Sequence, residues 1–490
     1  MSVSVLGTTQ QRLLIGGEWT DAADGRTFEV HNPYTGEVAS IVAAAGREDA
    51  RRAVEAAAAA FEDWSATPLI KRREVLERAA GLMEERQAEL AQIVADETGG
   101  TFGWGMFNVA LATGMLREAG VHAAAVQDQE IPSHISGKRM RAVRQPAGVV
   151  VGIAPWNAPV ILGTRAVAAP LAYGNTVVMK ASELSPRTHG AIVECLDQAG
   201  IPAGVVNLIT NDPADAAGVV EELIAHPAVR RISFTGSSHV GAIIAEKAGH
   251  HLKRVLLELG GKAPFVVLED ADLDAAAAAA SFGAFMHQGQ ICMSTERIVV
   301  DRRVADEFAT KLAARAASLK VGDPRDPSTQ IGPLINPAAL DRVTALIEDA
   351  VEKGAELLTG GQTDGLVLRP TVLRGVTPEM RIYGEESFGP VVSITEVDGA
   401  EEAIRVANDT EYGLSASIFS RDVERAEQLA RRIQSGMCHI NDATVHDEPQ
   451  APFGGVKNSG WGRFGGDWAA EEFTELRWIT VQEEQREYPI

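Results

Sequence analysis

Cys292 lies at a glycine-containing bend, directly after Gly289, Gln290 and Ile291, and not inside a long apolar helix. A thiol in this setting can act as a nucleophile once it is deprotonated. It can equally be a small buried hydrophobic side chain, which is the role we expect for Cys195 and Cys438 from the general burial of thiols. Cys292 is therefore a candidate nucleophile, and the groups around it must decide between the two roles.

Glu258 is a carboxylate between two leucines at the end of a predicted strand, and Gly260 and Gly261 follow shortly after it. A lone acidic residue in such a setting usually has a salt-bridge partner. Without a partner, the loss of water around the charged form raises its pKa, which suits a general base near neutral pH. In the second role, Glu258 would supply a base for chemistry at Cys292.

Asn157 lies between Pro155 and Pro159, where a predicted strand gives way to a helix. The prolines restrict the backbone on both sides and so fix the direction of the amide side chain. A rigid amide donor beside a cleft can stabilise an oxyanion by about 3–4 kcal/mol. The alternative is an asparagine that caps the following helix.

Two further segments could hold a dinucleotide. Lys180 and Glu183 follow a predicted strand, where an acidic side chain can accept hydrogen bonds from ribose hydroxyls. The turn Thr235-Gly236-Ser237 offers exposed amides and a hydroxyl to a pyrophosphate. Both segments also have ordinary explanations, as solvated charges and as a simple strand-to-helix turn. The usual Gly-x-Gly-x-x-Gly after the first strand is missing, which counts against a standard dinucleotide fingerprint.

The elements that must position these residues are short apolar strands that alternate with helices. We expect strands at 149–154, 176–179, 205–209, 231–234 and 255–259, with helices near 160–172, 187–199, 214–225 and 238–248. A second block has strands at 264–268, 297–300, 366–371, 391–394 and 414–419. Such alternation predicts two α/β lobes, each a parallel sheet covered by helices, with a ligand cleft between them.

The regions outside these blocks have different patterns. Charged and apolar residues recur at helical spacing over 47–64 and 70–97, and Gly99 and Gly100 are expected to stop the second of these helices. The segments 131–146 and 474–482 are strand candidates that belong to neither lobe.

The composition limits the classes of partner. The 490-residue chain is 45% hydrophobic and has a formal net charge of −22, which disfavours binding to nucleic acid. The N-terminus lacks the pattern of a secretory signal, and no apolar stretch reaches the roughly 18 residues needed to span a bilayer. Because three cysteines are too few for a disulfide framework, we expect a soluble cytoplasmic protein that contacts no membrane. Adjacent His250 and His251 cannot chelate as an i, i+4 pair would, so no catalytic metal is expected.

Taken together, these segments resemble the aldehyde dehydrogenase superfamily along essentially the whole chain. Seven motifs occur in the family's order, and a sparser glycine turn, here at 236–241, is typical of that family. The motifs are Pro-Trp-Asn at 155–157, Lys-Ala-Ser-Glu at 180–183, Phe-Thr-Gly-Ser at 234–237, Glu-Leu-Gly-Gly-Lys at 258–262, Gly-Gln-x-Cys at 289–292, Glu-Glu-Ser-Phe-Gly-Pro at 385–390 and Pro-Phe-Gly-Gly-Val-Lys at 452–457.

The resemblance implies a catalytic role for three residues. The Cys292 thiolate would attack the aldehyde carbon, while the Asn157 amide and the Cys292 backbone N–H hold the oxyanion. Hydride transfer to a nicotinamide would leave a thioester, and Glu258 would activate the water that releases the carboxylic acid.

The resemblance also implies a set of cofactor contacts. Lys180 and Glu183 would hold the adenosine ribose, Ser237 the pyrophosphate and Glu386 the nicotinamide ribose, with Phe388 beside the ring. The remaining expected contacts are Trp156, Thr235, Gly236 and Gly260. Because a carboxylate at Glu183 would repel a 2′-phosphate, NAD is favoured, although NADP remains an alternative.

On the substrate side, three segments are similar to the branch of the family that handles benzaldehyde, vanillin and salicylaldehyde. They are 104–109, 291–297 and 436–448. Ala158 and Arg165 stand where many members carry large aromatic residues, so we expect a wider tunnel that can meet a ring hydroxyl or carboxylate near Arg165. Trp104 could contact the substrate ring. The alternatives are ordinary core packing for Trp104 and an internal ion pair for Arg165.

The implied architecture has two Rossmann-like lobes and a small β oligomerisation arm. Residues 1–124 and 148–258 would form the dinucleotide-binding domain, 259–440 the catalytic domain, and 125–147 with 468–490 the arm. Residues 441–467 would return to the active-site region. A homodimer or homotetramer is therefore expected.

Other functions remain as rivals. The enzyme could act on aliphatic aldehydes or semialdehydes, or transfer the acyl group to CoA, although a water-activating Glu258 argues for hydrolysis. A cysteine hydrolase using His287 would leave Lys180, Glu183 and the glycine turn unexplained. A non-catalytic relative would have no need of an intact Cys292.

Overall fold

The computed structural model describes residues 9–490, so residues 1–8 of the expected first lobe lie outside the described residues. Its first large sheet has a parallel centre with antiparallel strands at both edges. In spatial order the strands are Gly460–Trp461, Arg254–Glu258, Val229–Thr235, Val149–Ile153, Thr176–Lys180, Val206–Ile209, Leu13–Ile15 and Glu18–Thr20. The central strands are short runs rich in valine because both of their faces are covered.

The order of the central strands creates a ligand site. Among the parallel strands of this sheet, Val149–Ile153 comes first in the chain, yet it lies between Thr176–Lys180 and Val229–Thr235. The chain therefore builds the sheet outward from this strand in both directions. This is the strand order of a dinucleotide-binding sheet, and such sheets bind ligands beyond the carboxyl ends of the strands at the reversal point. Asn157 follows the strand Val149–Ile153, and Ser237 follows the strand Val229–Thr235.

A second large sheet builds the other half of the molecule. Its strands are Glu356–Thr359, Thr371–Arg374, Val391–Val397, Thr295–Asp301, Ala263–Val267, Ser417–Phe419 and His439–Ile440 in spatial order, parallel except for the first. The prediction of one strand over 366–371 is wrong, because the chain forms two separate strands, Val367–Leu368 and Thr371–Arg374. Pro370, which has no N–H to donate, separates the two.

Helices cover both sheets. Those of the first half are Arg47–Ala66, Leu69–Glu85, Gln87–Thr98, Phe102–Ala125, Pro159–Ala172, Pro186–Gln198, Ala216–Ala225 and Ser238–His250. Those of the second half and the C-terminal part are Leu273–Phe285, Ala305–Ser318, Pro337–Glu352, Arg381–Gly384, Gly399–Asn408, Val423–Ala430 and Ala469–Phe473. Short 3-10 turns occupy Pro213–Asp215, Met286–Gly289, Lys457–Ser459 and Gly466–Trp468.

The single helix predicted over 70–97 is also wrong, because the chain breaks at Arg86 into two helices. No glycine or proline marks the break in the sequence. Arg86 instead pairs with Glu89 and with Glu194 of another helix, so a tertiary contact accompanies the break. Gly99 ends the next helix in a left-handed conformation, as its position predicts.

Three smaller β units complete the fold. Thr9–Gln11, Val38–Ala43 and Thr27–His31 form one sheet, and Thr363–Asp364 pairs with Val367–Leu368. The two strand candidates outside the lobes form a third sheet, in which Thr474–Gln482 pairs along its length with Lys138–Pro146 and Gln129–Ile131 lies beyond. Leu476 and Trp478 are 63% and 67% exposed on this sheet.

Candidate active site

Two cavities meet at Cys292. One lies at the reversal point of the first sheet, and the other lies between Trp104 and the segment 442–447. The residues that line both are Asn157, Leu162 and Cys292. The second cavity has a volume of about 370 Å³, within the range of small-molecule sites. Molecules in the two cavities would therefore contact each other beside the thiol.

Glu258 ends the strand Arg254–Glu258 and lies in the first cavity, next to Cys292. Its carboxylate is almost fully buried, and neither oxygen has a hydrogen-bond partner among residues 9–490. Burial raises the pKa of Glu258 to about 7. The desolvated surroundings and the Glu258 charge raise the pKa of the Cys292 thiol well above its usual range. The two groups are therefore arranged as a protonated thiol beside a carboxyl group that titrates near neutrality.

Asn157 is held rigidly beside the thiol. Its Nδ2 donates to the backbone carbonyl of Gln290 at 2.9 Å, and the backbone carbonyl of Asn157 accepts from Trp104 Nε1 at 3.0 Å. One amide hydrogen remains for a ligand, since a primary amide has two. Ala158, not Asn157, occupies the N-cap position of Pro159–Ala172, so the helix-capping alternative is not what the structure contains.

Lys180 and Glu183 form an ion pair at the end of the second strand, and Asn211 donates to Glu183 at 3.1 Å. Lys180 is buried, so these are not simply solvated charges. Burial alone would raise the pKa of Glu183, but the charge of Lys180 and the hydrogen bonds lower it below its usual value. The pair lies outside the cavity at Cys292, and Glu183 lines a separate surface groove with Asp212.

The turn Thr235-Gly236-Ser237 lines the first cavity before the helix Ser238–His250. Ser237 Oγ caps that helix by accepting from Val240 N at 3.3 Å, which leaves its hydroxyl hydrogen free to donate. A Cβ atom at Gly236 would lie 2.5 Å from the Phe234 ring, so a side chain cannot be accommodated there. The turn thus offers backbone amides at a helix N-terminus to an anionic ligand.

Glu386 and Phe388 lie on a loop across the same cavity. Glu386 accepts from Gly261 N at 2.8 Å, and burial with the nearby Glu296 charge raises its pKa to about 7. Phe388 has a left-handed backbone (φ 50°), and its ring contacts Trp156 edge-to-face at 5.8 Å. A Cβ atom at Gly260 would lie 2.8 Å from a Glu386 oxygen, so the two loops approach too closely for a side chain.

A buried ion pair fixes this loop, and the sequence analysis missed it. Lys262 Nζ lies 2.5 Å from Glu296 and donates to Ser387 Oγ at 3.1 Å. Glu296 also accepts from the backbone N–H groups of Ser387 and Phe388, each at 3.0 Å. Lys262 lies in the motif 258–262 and Glu296 in the segment 291–297, but nothing in the spacing of these two charges indicates that they pair.

The three residues expected on the substrate side all line the second cavity. Trp104 is 4% exposed, so it both packs in the core and borders the cavity. Arg165 is also buried, forms an ion pair with Asp447 and lies 4.2 Å from the Phe453 ring centre. Ala158 leaves room beside Asn157. The internal ion pair, offered above as the alternative for Arg165, is therefore present in the cavity wall.

Other lining residues were not predicted. Arg342 borders the first cavity, and Asp442, His446, Asp447 and Phe453 border the second. Arg342 lies outside every segment singled out in the sequence, whereas the other four lie within 436–448 and 452–457. Their individual contacts could not be predicted, because each lies far along the chain from the residues that it faces.

The cysteine-hydrolase alternative lacks its base. No hydrogen bond joins His287 to Cys292, and neither imidazole nitrogen of His287 has a partner within residues 9–490. The ring stacks on Trp104 at 4.8 Å, and burial lowers its pKa to about 3.

Residues 9–490 contain no group of three or more His, Cys, Asp or Glu side chains placed to hold a metal ion. No helix in that range is both long and apolar enough to cross a membrane.

Comparison with known proteins identifies the class to which this site belongs. Residues 19–479 match the aldehyde dehydrogenase family, and the chain belongs to that family. The fold class and family predicted from the motifs are thereby confirmed. The protein is an oxidoreductase that oxidises aldehydes with a nicotinamide dinucleotide.

Particular relatives are similar over nearly their whole length. The vanillin dehydrogenase of Pseudomonas sp. strain HR199 is 58% identical over 478 residues, which cover 98% of this chain and 99% of that protein. The crystal structure of a salicylaldehyde dehydrogenase from Pseudomonas putida G7, complexed with salicylaldehyde, has a TM-score of 0.96 at 44% identity and covers 99% of this chain and 100% of its own. An E. coli NADP-dependent enzyme has a TM-score of 0.94 at 35% identity, covering 96% of this chain and 98% of its own.

The Lys262–Glu296 pair generates a stability prediction. Replacement of Lys262 by Met leaves Glu296 charged and buried, so we expect the free energy of unfolding to fall by about 3–5 kcal/mol. Lys71→Met is the matched control, because Lys71 forms an exposed ion pair with Glu74 that is worth at most about 1 kcal/mol. Denaturant unfolding followed by tryptophan fluorescence measures both variants. Equal losses in the two would contradict the role given to the buried pair.

Proposed function

We propose that this enzyme oxidises aromatic aldehydes to carboxylic acids with NAD, through a thioester on Cys292. The observation that carries the proposal is the meeting of two cavities at the thiol, one bordered by candidate dinucleotide contacts and the other by aromatic rings. Trp104, Phe107, Phe282 and Phe453 border the aldehyde cavity, and rings of this kind pack well against an aromatic substrate. Similarity to vanillin and salicylaldehyde dehydrogenases supports the same substrate class.

In the first step, Glu258 takes the thiol proton and the Cys292 sulfur attacks the aldehyde carbon. The raised pKa of the Cys292 thiol means that the thiol keeps its proton near pH 7 unless a base removes it. Glu258, whose pKa is about 7, is the base beside it. The free hydrogen of the Asn157 amide and the Cys292 backbone N–H stabilise the oxygen that becomes negative. Burial strengthens these interactions because little water competes with them.

The residues around the first cavity fit a nicotinamide dinucleotide. Glu386 would accept from a ribose hydroxyl, and the turn Thr235-Gly236-Ser237 would bind the pyrophosphate at a helix N-terminus. Trp156, Gly260 and Phe388 would border the nicotinamide end, while Lys180 and Glu183 hold the adenosine ribose. When bound, the dinucleotide accepts the hydride that leaves the tetrahedral carbon.

Loss of the hydride leaves an acyl group on the Cys292 sulfur. After Glu258 has passed the thiol proton to solvent, it removes a proton from water and the water oxygen bonds to the acyl carbon. The carbon–sulfur bond then breaks to release the acid, and the Cys292 sulfur takes a proton back from Glu258. An enzyme that passed the acyl group to CoA would need no buried base for water. The unpaired, fully buried Glu258 carboxylate therefore favours hydrolysis over CoA acylation.

Glu183 favours NAD over NADP. Its pKa lies below the usual value, so the carboxylate is negative at neutral pH and would repel a 2′-phosphate on the adenosine ribose. Lys180 is already paired with it and offers less positive charge to a phosphate.

The charges of the aldehyde cavity disfavour semialdehydes that carry a carboxylate. Arg165 is neutralised by Asp447, and Asp442 adds a further negative charge at the exposed mouth. A substrate carboxylate would lose its water here without gaining a free cation, which is costly. The neutral ring of an aromatic aldehyde avoids that cost.

We also propose the domain division expected from the sequence, with 1–124 and 148–258 binding the dinucleotide, 259–440 carrying the nucleophile, and 125–147 with 468–490 forming the arm. The arm supports a homodimer or a dimer of dimers. Its outer strand Thr474–Gln482 pairs on one side only and exposes Leu476 and Trp478, as an edge does that accepts another chain.

The first prediction from the proposed function concerns Glu258. Its base form is the carboxylate, so turnover is expected to rise as pH increases through about 7. Glu258→Gln is expected to lose this rise and to slow steady-state turnover by at least about a hundredfold, the usual contribution of a general base. At a pH high enough to ionise the thiol directly, a burst of reduced cofactor should persist, measured by stopped-flow absorbance. Cys292→Ala is the control without burst or turnover. An unchanged pH profile in Glu258→Gln would contradict the assignment.

The second prediction concerns substrate and cofactor. With NAD, we expect kcat/KM for benzaldehyde to exceed that for succinate semialdehyde by at least about tenfold, equivalent to about 1.4 kcal/mol of discrimination. NADP is expected to give a lower kcat/KM than NAD with the same aldehyde. Absorbance of the reduced cofactor measures each pair. A faster reaction with the semialdehyde would contradict the proposed substrate class, and no reaction with any aldehyde would contradict the proposed chemistry.

The third prediction concerns the arm. Sedimentation velocity at micromolar concentration is expected to show a dimer or tetramer, and Trp478→Lys is expected to shift it toward the monomer by placing a charge on the outer strand. Leu252→Lys, at a residue that is 95% exposed and outside the segments of the arm, serves as the control. A monomeric wild-type protein would refute the oligomer proposal.

A further inference from the structure

The wall of the aldehyde cavity contains a buried carboxylate oxygen without a partner. The side chains of Arg165 and Asp447 are 6% and 7% exposed, and both border the cavity. Arg165 donates to Oδ2 of Asp447. Oδ1 of Asp447 is buried and accepts no hydrogen bond from any residue in 9–490. An unsatisfied buried acceptor costs free energy, so a native site that retains one calls for an explanation.

The buried part of the cavity lining is otherwise mostly apolar. Ile161, Leu162, Ile291 and Met293 border the same cavity, and the guanidinium of Arg165 lies over the Phe453 ring. Among the described residues that line this cavity, the buried charged side chains are Arg165 and Asp447, and the buried amide of Asn157 lies beside the thiol. A ligand that satisfies Oδ1 must therefore be mostly apolar and carry a hydrogen-bond donor.

We propose that Asp447 is a specificity-determining residue that accepts a hydrogen bond from a ring hydroxyl, so that the enzyme prefers phenolic aldehydes. This inference rests on the proposed oxidation of aromatic aldehydes. An ion-paired carboxylate offers acceptors and no donor, so it selects a neutral hydroxyl over a methoxy group or an ionised phenolate. Arg165 holds the carboxylate in place and offsets its charge, which makes an acceptor tolerable in this buried wall.

The role of Arg165 differs from the one expected from the sequence. Its guanidinium was expected to meet a ring hydroxyl or carboxylate directly. In the structure it donates to Asp447, and the oxygen left without a partner belongs to the acid. A ring carboxylate would then face Asp447, whereas a ring hydroxyl would complete its hydrogen bonding.

The test compares Asp447→Asn with the wild-type enzyme. In the variant, the amide oxygen remains toward Arg165 because that group donates, so the amide N–H₂ replaces the free acceptor. The readout is the ratio of kcat/KM for each hydroxybenzaldehyde to that for its O-methylated analogue. We expect this ratio to exceed one for at least one ring position in the wild type and to fall about tenfold or more in Asp447→Asn, as for loss of a hydrogen bond to a charged group.

Glu448→Gln is the matched control. It removes the same charge from the next residue, but Glu448 is exposed, pairs with His446 and does not border the aldehyde cavity. Its ratio is expected to equal that of the wild type. A ratio that is the same in wild type, Asp447→Asn and Glu448→Gln would overturn the role of Asp447. A similar fall of this ratio in both variants would also overturn the role of Asp447, because the effect would then depend on the removed charge alone.

A measurement on the wild-type enzyme keeps the proposal testable if Asp447→Asn fails to fold. The ratio of kcat/KM for a hydroxybenzaldehyde to that for benzaldehyde is expected to fall as pH rises through the pKa of the substrate hydroxyl, because the phenolate would face Asp447. Titration of enzyme groups that act equally on both aldehydes, such as Glu258 and Cys292, cancels in this ratio. The other ionisable groups around the pair are Glu258 and Cys292 across the cavity, Asp442, His446 and Glu448 in the neighbouring segment, and His122 and Tyr173, which border a second cavity with Arg165.

The outcomes separate the two proposals. A pH-independent ratio would overturn the role of Asp447 while leaving aromatic aldehyde oxidation standing, since benzaldehyde would still be oxidised. An enzyme that oxidises neither benzaldehyde nor any hydroxybenzaldehyde would overturn the proposed function itself.

Discussion

A buried ion pair between Lys262 and Glu296 positions the rest of the active site. Both side chains are removed from water, with exposures of 0% and 4%, so each depends on the other for its charge to be tolerated. The pair joins the strand that follows the Glu258 loop, the strand that follows Cys292, and the loop that carries Glu386 and Phe388. The base, the nucleophile and the candidate ribose contact are thus held by one desolvated interaction and its hydrogen bonds.

The same arrangement explains why Glu258 can act as a base. Lys262 is committed to Glu296, and Glu258 has no ion-pair partner in residues 9–490. A cation beside Glu258 would lower its pKa and weaken it as a proton acceptor, whereas burial without a partner raises the pKa to about 7. Arg165 could have supplied such a cation, but its pairing with Asp447 offsets its charge. The site therefore keeps a carboxyl group near neutrality at some cost in folding stability.

Local patterns were enough to predict the sheets, because apolar runs and turn residues are properties of neighbouring positions. The strands at 149–153 and 474–482 and the helix stop at Gly99 follow from such patterns. The contacts that complete the site do not, since Arg165 and Asp447 are 282 residues apart and Glu296 and Ser387 are 91 apart. The break at Arg86 belongs with these, because the side chain there pairs with another helix. An internal ion pair was one of the two alternatives for Arg165, but its partner Asp447 could not be predicted for the same reason.

The geometry also separates the chemistry from the choice of substrate. Asn157 and Glu258 sit at or just beyond the ends of central strands, and Cys292 directly precedes a strand, so the sheets fix all three. The aldehyde cavity is bordered instead by three helices, Phe102–Ala125, Pro159–Ala172 and Leu273–Phe285, by the loop that carries Cys292, and by the segment 442–447, which has no regular structure. Within that segment, a change at Val445 or His446 can alter which ring substituents are accepted while the contacts of Thr444 beside the thiol and of Asp447 with Arg165 stay in place. Relatives that share this fold can therefore differ in aldehyde while keeping the same reaction.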